Sequence, residues 1–140
     1  MDLRTIKTAI IAFVLIAPVS ALVGEERTDR KVPGEYLAKK NPFSGSDKSV
    51  LERGERIFST TCARCHGKNG DGVGSKLEGY TMPIFNKEFL SKREDGYIFW
   101  IVEQGLPGTP MPPYGPGSDR NLSEADVWKV IAFVRTRFGK

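Results

Sequence analysis

The side chains with the most distinctive chemistry in this chain are few, and they lie close together. The run CARCH, residues 62 to 66, holds both cysteines, Cys62 and Cys65, and the only histidine, His66. On a helix, positions i, i+3 and i+4 share one face, so two thiols and an imidazole would project toward one object. The spacing therefore predicts a single site at one helix end, for a metal ion or for a larger group held covalently.

The order Cys-x-x-Cys-His is the attachment pattern of haem c, in which two thiols bond the vinyl groups and the histidine ligates iron. A structural zinc site needs four ligands, one more than this trio offers unless a carboxylate or a second chain adds it. A thioredoxin-like pair needs a βαβ setting, which is missing, and a disulfide would leave His66 without a role. The motif favours one haem c, covalent through Cys62 and Cys65.

Helices must position this site. The segment leading into CARCH places Val50, Ile57 and Phe58 at helical intervals, with Asp47 or Ser49 as the N-cap. No segment alternates with the period of a strand, so the predicted fold class is all-α with three to five helices.

Two further helices are predicted beyond CARCH. One covers about residues 94–104, with Gly105 as its stop and an apolar stripe of Tyr97, Ile98, Ile101 and Val102. The last begins at Ser123, where Asp126 resembles the partner of a capping box, and it places one apolar face at Val127, Val130, Ile131, Val134 and Phe138.

The N-terminus resembles a targeting segment. Arg4 and Lys7 precede an apolar stretch, and Val19-Ser20-Ala21 suits cleavage, so residues 1–21 are predicted to be an export signal. The alternative is an uncleaved anchor, although the apolar run falls short of the roughly 20 residues of a spanning helix. Residues 22–46 are charged and broken by proline and glycine, which predicts a tether or a docking arm, and residues 47–140 form the domain.

Charge excludes one class of partner. The chain carries 21 Lys and Arg against 17 Asp and Glu, a formal net charge of +4, and the basic residues are scattered among acidic ones. No basic stripe suited to a nucleic-acid backbone is present in the sequence, so nucleic-acid binding is not expected. The surplus fits a basic rim that steers an acidic protein partner, or a merely solvated surface.

From about residue 47 to 138 the sequence resembles the class I c-type cytochromes, small exported electron carriers and electron-carrying domains. CARCHGKNGDGVG is similar to their haem-attachment segment, and GERIF is similar to their first helix. In that helix a small residue, here Gly54, lets the terminal helix cross closely, and Phe133 is the expected partner. The resemblance implies a small cytochrome c-like domain wrapped around one covalent haem.

The sixth iron ligand is open between two methionines. Without a second histidine, bis-histidine ligation within the chain is impossible, and Met1 lies in the signal, which leaves Met82 and Met111. GTPMPPYG resembles the axial-methionine loop of the family, which implies His66 and Met111 as the metal ligands. The resemblance also makes the carbonyl of Pro83 a candidate acceptor for the His66 Nδ1–H.

The function implied is electron transfer, without catalysis, on the periplasmic or exported side of the cytoplasmic membrane. The chain would serve as a soluble carrier or as the monohaem subunit of a membrane-bound respiratory or oxidative complex. Its partners would be redox proteins, with membrane contact through the N-terminal segment. The alternative is an open-site haem protein, a peroxidase-like enzyme or a gas sensor, which requires that Met111 leave the iron free.

Overall fold

Six α-helices and one π-helical turn make up the regular structure of the described chain. In this computed structural model the described residues are 31–75, 77 and 79–140, which form one unit, Lys31–Lys140. The helices are α1 (Gly34–Leu37), α2 (Lys48–Ile57), α3 (Ala63–His66), α4 (Lys87–Ser91), α5 (Asp95–Gln104) and α6 (Glu124–Phe138). The predicted export signal, residues 1–21, and residues 22–30 of the predicted arm lie outside the described residues.

The all-α prediction is confirmed: no residue described from 31 onward lies in a β-strand. The π-helical turn Phe58–Cys62 joins α2 to α3 without a break, so these elements form one helical run. When that run is counted as one element, the described residues contain five helices, the upper limit of the three to five predicted. No helix within these ranges is long and apolar enough to cross a membrane.

The run that leads to CARCH begins where the sequence predicts. Asp47 is the N-cap of α2, and its carboxylate accepts hydrogen bonds from the backbone N–H groups of Ser49 and Val50. The first four N–H groups of an α-helix have no acceptor within the helix, and Asp47 supplies one for two of them. The predicted apolar positions Val50, Ile57 and Phe58 are all buried.

Helix α6 crosses α2 at the predicted glycine. A Cβ on Gly54 would lie 2.3 Å from the carbonyl oxygen of Lys129 and 2.7 Å from the Cβ of Phe133, so only a glycine permits this approach. Ser123 caps α6 through the N–H of Asp126, as predicted. The Asp126 carboxylate, however, pairs with Arg53 of α2, so the capping box is completed on one side only.

Helix α5 has the predicted bounds, but the predicted stripe does not mark its core face. Phe99 is fully buried, whereas Tyr97, Ile98, Ile101 and Val102 are half-buried. Phe99 stacks on Trp128 of α6, with ring centroids 4.2 Å apart. The helix is apolar nearly all round, so its sequence has little amphipathic signal to orient it.

The described part of the predicted arm, residues 31–46, lies on the domain itself. Its helix α1 packs against α5, and the rings of Tyr36 and Phe43 pack against the Phe99–Trp128 cluster. Asn41 donates a hydrogen bond from Nδ2 to the carbonyl of Trp128 at 2.9 Å. These residues of the arm therefore form part of the packed structure.

Candidate haem site

The CARCH residues occupy the end of the long helical run. Cys62 closes the π-helical turn, and Cys65 and His66 lie in α3, the single turn that follows. Gly67 then ends the helix with a φ of 77°, a left-handed conformation that favours glycine. A π turn widens the helix locally and is frequent at functional sites. The structure thus places the three predicted residues on neighbouring turns of one element.

The imidazole of His66 is desolvated. Its ring stacks on Phe85, with centroids 4.7 Å apart and an interplanar angle of 25°. Burial lowers the pKa of the imidazole, which favours the neutral form that can ligate a metal. Its Nδ1 atom is buried without a hydrogen-bond partner.

That unpartnered nitrogen corrects one expectation. The carbonyl of Pro83 does not accept a hydrogen bond from His66 Nδ1, which has no partner. The neighbour that the structure places on the imidazole is the ring of Phe85, two residues further along the chain. An aromatic face excludes water and orients the ring, but it does not replace a carbonyl acceptor.

The two cysteines are free thiols, both partly buried. Burial, with a smaller contribution from Cys65, raises the pKa of Cys62 to about 12. Cys62 packs against the apolar cluster that contains Phe58 and Phe133. An apolar wall beside two unpaired thiols is a suitable surface for a flat apolar macrocycle.

The glycine-rich loop after His66 folds back onto the helix. The N–H of Gly72 donates to the carbonyl of His66 at 2.9 Å, and the N–H of Ser75 donates to that of Arg64 at 2.6 Å. Phe85 is fixed by its own N–H, which donates to the carbonyl of Gly70 at 2.6 Å. The loop thereby brings Phe85 to the imidazole.

The Met111 loop is tied to the end of α5. The carbonyl of Met111 accepts a hydrogen bond from the N–H of Leu106 at 2.9 Å, and the N–H of Met111 donates to Thr109 Oγ1 at 3.2 Å. Gly105 has a φ of 69°, and a Cβ there would lie 2.6 Å from the nitrogen of Pro113. The methionine is partly buried on a backbone stiffened by its prolines.

A hydrogen bond of Tyr80 connects the Met111 loop with the CARCH side of the domain, and Tyr114 interacts electrostatically with the cysteines. The hydroxyl of Tyr80, in the loop after His66, donates to the carbonyl of Gly108 at 3.0 Å. Burial raises the pKa of Tyr114, and the Cys62 and Cys65 thiols raise it further, so this tyrosine lies within electrostatic reach of both. Met82 lies instead against Gly72, whose Cβ would be 2.9 Å from the Met82 carbonyl oxygen.

Sequence reasoning missed Phe85, Tyr80 and Tyr114. Each is an aromatic residue in a segment rich in proline or glycine, where no helical period marks a buried face. The only available signal was a large ring next to residues that force a turn.

The residues present fit a covalent haem. A desolvated imidazole and two unpaired thiols lie on one helical run, beside apolar side chains, and a hydrogen bond joins a methionine-bearing loop to the loop that follows them. This all-α fold and its Cys-x-x-Cys-His site define a c-type cytochrome domain of class I.

Comparison with known proteins agrees. The model of the family described as cytochrome c oxidase, cbb3-type, subunit III, matches residues 49–134, more than half of the chain, and the chain belongs to this family. The family implies covalent haem c as the cofactor, and residues 49–134 are a haem-based electron-transfer domain.

Two curated relatives give the range of proteins that contain similar sequence. The cbb3-type cytochrome c oxidase subunit FixP of Azorhizobium caulinodans is 27% identical over 75% of this chain and 33% of its own length. The thiosulfate dehydrogenase of Stutzerimonas stutzeri is 30% identical over 78% of this chain and 34% of its own. The chain therefore spans about a third of the length of each.

A solved structure supports the fold alone. Cytochrome cL of Methylophaga aminisulfidivorans superposes with a TM-score of 0.55 over 81% of this chain and 71% of its own, at 21% sequence identity. The class I fold prediction is confirmed.

Proposed function

We propose that this chain transfers single electrons between redox proteins through one haem c, held by Cys62 and Cys65 and ligated by His66 and Met111. One observation carries the proposal. The helical run ending at His66 presents two free thiols and a desolvated imidazole, and a hydrogen bond from the Tyr80 hydroxyl to the Gly108 carbonyl connects the loop after His66 to the Met111 loop.

When bound through Cys62, Cys65, His66 and Met111, a haem c would supply a one-electron Fe(II)/Fe(III) couple, and its protein ligands, burial and hydrogen bonds would tune the potential. The chain supplies the rest of the site. Phe85 covers the imidazole face, α5 anchors the methionine loop, and the apolar cluster beside Cys62 excludes water. Two strong protein ligands on the iron would close it to substrates, so the chain acts as a carrier and not as an enzyme.

Met111 is favoured over Met82 by its setting. Its carbonyl and N–H are both engaged in the loop that ends α5, and prolines reduce the entropy lost on fixing a flexible thioether. Met82 belongs to the segment that returns to the imidazole side, where its carbonyl lies against Gly72. Met82 is therefore the weaker candidate for the second ligand.

The loop that follows His66 is the proposed contact surface for a redox partner. Val73, Tyr80 and Ile84 are large apolar residues that remain 76%, 47% and 56% exposed, all in the loop that follows His66. Two exposed cations, Arg64 and Lys68, adjoin this loop in sequence, and the Ser75 N–H binds the Arg64 carbonyl. Exposed apolar residues with basic neighbours in sequence suit a redox partner whose surface is acidic.

The setting proposed for the chain is the periplasmic or exported side of the cytoplasmic membrane. The basic and apolar residues 1–21 support export or anchoring, and residues 47–140 would be the electron-transfer domain. The cbb3-type relative supports a role as the monohaem subunit of a respiratory complex, with a free carrier as the alternative. The second relative is named as an enzyme, thiosulfate dehydrogenase. This similarity supports a role as an electron-transfer domain inside an oxidising complex.

The test is optical and electrochemical, on the holoprotein. Covalent haem should survive acid–acetone extraction, a reversible one-electron couple should be observed, and the reduced protein should not bind carbon monoxide rapidly. Rapid carbon monoxide binding with catalytic turnover of peroxide would contradict the carrier and support an open-site haem enzyme. Extraction of the haem into the organic phase would contradict covalent attachment.

A further inference from the structure

The N-terminal arm, residues 31–46, contacts both the N-terminal and the C-terminal end of α5. Near the start of α5, Lys40 Nζ pairs with Glu94 at 2.9 Å, and both side chains are largely exposed. Near its end, the Tyr36 hydroxyl donates to Glu103 Oε2 at 2.5 Å. The Lys40–Glu94 pair is a surface contact between two side chains, whereas the Tyr36–Glu103 contact includes a further side chain, Gln104.

The Tyr36–Glu103 contact is part of a small network. Gln104 Nε2 donates to Glu103 Oε2 at 3.1 Å and lies 3.4 Å from the Tyr36 hydroxyl oxygen. The Tyr36 ring packs beside Phe99, with centroids 6.2 Å apart, and the Lys39 ammonium lies 5.0 Å from the Tyr36 ring centroid. A hydrogen bond to a carboxylate is stronger than one between neutral groups, so Glu103 is held on the arm side of α5.

The same turn of α5 holds the Met111 loop on its other side. The N–H of Tyr114 donates to the carbonyl of Val102 at 3.0 Å, and the N–H of Gly115 donates to that of Glu103 at 3.1 Å. Gly115 also lies against the Glu103 side chain, since a Cβ there would be 2.3 Å from Glu103 Cγ. The position of Glu103 therefore sets where the C-terminal half of the loop lies.

We propose that Tyr36 is a positioning residue for the Met111 loop, acting through Glu103. The arm fixes the last turn of α5 from outside, and this turn fixes the loop through backbone hydrogen bonds. The family match begins at residue 49, so this support comes from residues that precede the family region. The inference rests on the proposed ligation by Met111.

The experiment compares Tyr36→Phe with the parent holoprotein by titrating the oxidised form with imidazole, which competes with methionine for iron. Loss of a hydrogen bond to a carboxylate should loosen the loop and tighten apparent imidazole binding roughly three- to tenfold. Lys40→Ala, which breaks the exposed pair elsewhere on the same arm, should leave binding unchanged. In the Glu103→Leu background, Tyr36→Phe should have no further effect.

A second readout does not depend on ligation. Hydrogen exchange at the Tyr114 and Gly115 amides should be roughly three- to tenfold faster in Tyr36→Phe, and unchanged in Lys40→Ala. If the parent lacks the far-red band of sulfur-to-iron ligation, the ligation proposal fails, while faster exchange still supports positioning by Tyr36. Unchanged exchange at these amides would overturn the inference. So would an effect of Tyr36→Phe on imidazole binding that is as large in the Glu103→Leu background as in the parent.

Discussion

Gly54 of α2 lies directly against the backbone of Lys129 in α6. A Cβ on Gly54 would be 2.3 Å from the Lys129 carbonyl oxygen, and backbone cannot move aside as a flexible side chain can. This contact sets the closest approach of the run that ends at His66 to the helix that covers it. The crossing that positions the proposed haem-binding residues therefore requires glycine at position 54.

Gly54→Ala should destabilise the holoprotein. Overpacking costs about 1–3 kcal/mol, which outweighs the gain of up to about 1 kcal/mol from replacing glycine in a helix. Denaturant unfolding monitored by circular dichroism measures the difference. Gly34→Ala is the matched control, because a Cβ at Gly34 meets nothing within 4 Å, and its stability should be unchanged or slightly higher. Equal stability of both variants would contradict the crossing as described.

The pair between α2 and α6 predicts a pH dependence. Arg53 donates to Asp126 through Nε at 2.9 Å and Nη2 at 2.7 Å, and this bidentate contact lowers the pKa of the Asp126 carboxyl. A lowered pKa contributes stability above the unfolded value of about 3.9, and this contribution is lost as pH falls through the folded pKa.

Asp126→Asn should therefore be less stable than the parent at pH 7, by about 0.5–1 kcal/mol for a partly exposed pair. The difference should shrink in acid well below pH 4, where the parent carboxyl is protonated too. Unfolding midpoints of both proteins across pH give the comparison. Glu88→Gln, which breaks the exposed pair with Lys92, should have little effect at any pH. A difference that persists undiminished in strong acid would show that the pair is not its cause.

Arg135 of α6 joins the end of α4 to the start of α5. It pairs with Asp95 at 2.7 Å through Nε, and its two terminal nitrogens donate to the carbonyls of Leu90 and Arg93. Arg135→Met should cost about 1.5–3 kcal/mol, because partly buried acceptors lose a charged donor. Arg135→Lys should recover little, since one ammonium cannot reproduce a planar fork. Full recovery of unfolding stability by lysine would contradict this account.

Electron exchange should depend on the exposed apolar residues Val73, Tyr80 and Ile84 of the loop that follows His66. Val73→Lys should slow electron self-exchange between reduced and oxidised copies several-fold, because a desolvated contact would then hold a repelling charge. Line broadening in NMR spectra of mixed redox states measures this rate without a named partner. Leu37→Lys is the matched control, since it adds the same charge at an exposed apolar residue of the arm. Equal slowing in both variants would show that net charge alone is responsible.

Local chemistry made much of this fold and site predictable. The capping residues Asp47 and Ser123, the stop at Gly105 and the close approach at Gly54 each have a short-range or pairwise cause. Cys62, Cys65 and His66 lie within five consecutive residues, so a helix alone brings them together.

What could not be predicted depends on tertiary contacts. Composition leaves a tether and a docking arm open for residues 22–46, because docking of residues 31–46 depends on the contacts of Tyr36, Asn41 and Phe43 with α5 and α6. Phe99 is the buried face of α5, but its apolar neighbours on every side hide the period. The unpartnered Nδ1 of His66 depends on how the loop carrying Pro83 and Phe85 folds back.

The identity of the methionine ligand is the central claim, and a single spectrum tests it. The oxidised parent should show the weak far-red absorption band of sulfur-to-iron ligation, and Met111→Ala should abolish it while covalent haem remains. Met82→Ala is the matched control and should keep the band. A band that survives in Met111→Ala, or that disappears in Met82→Ala alone, would contradict the account.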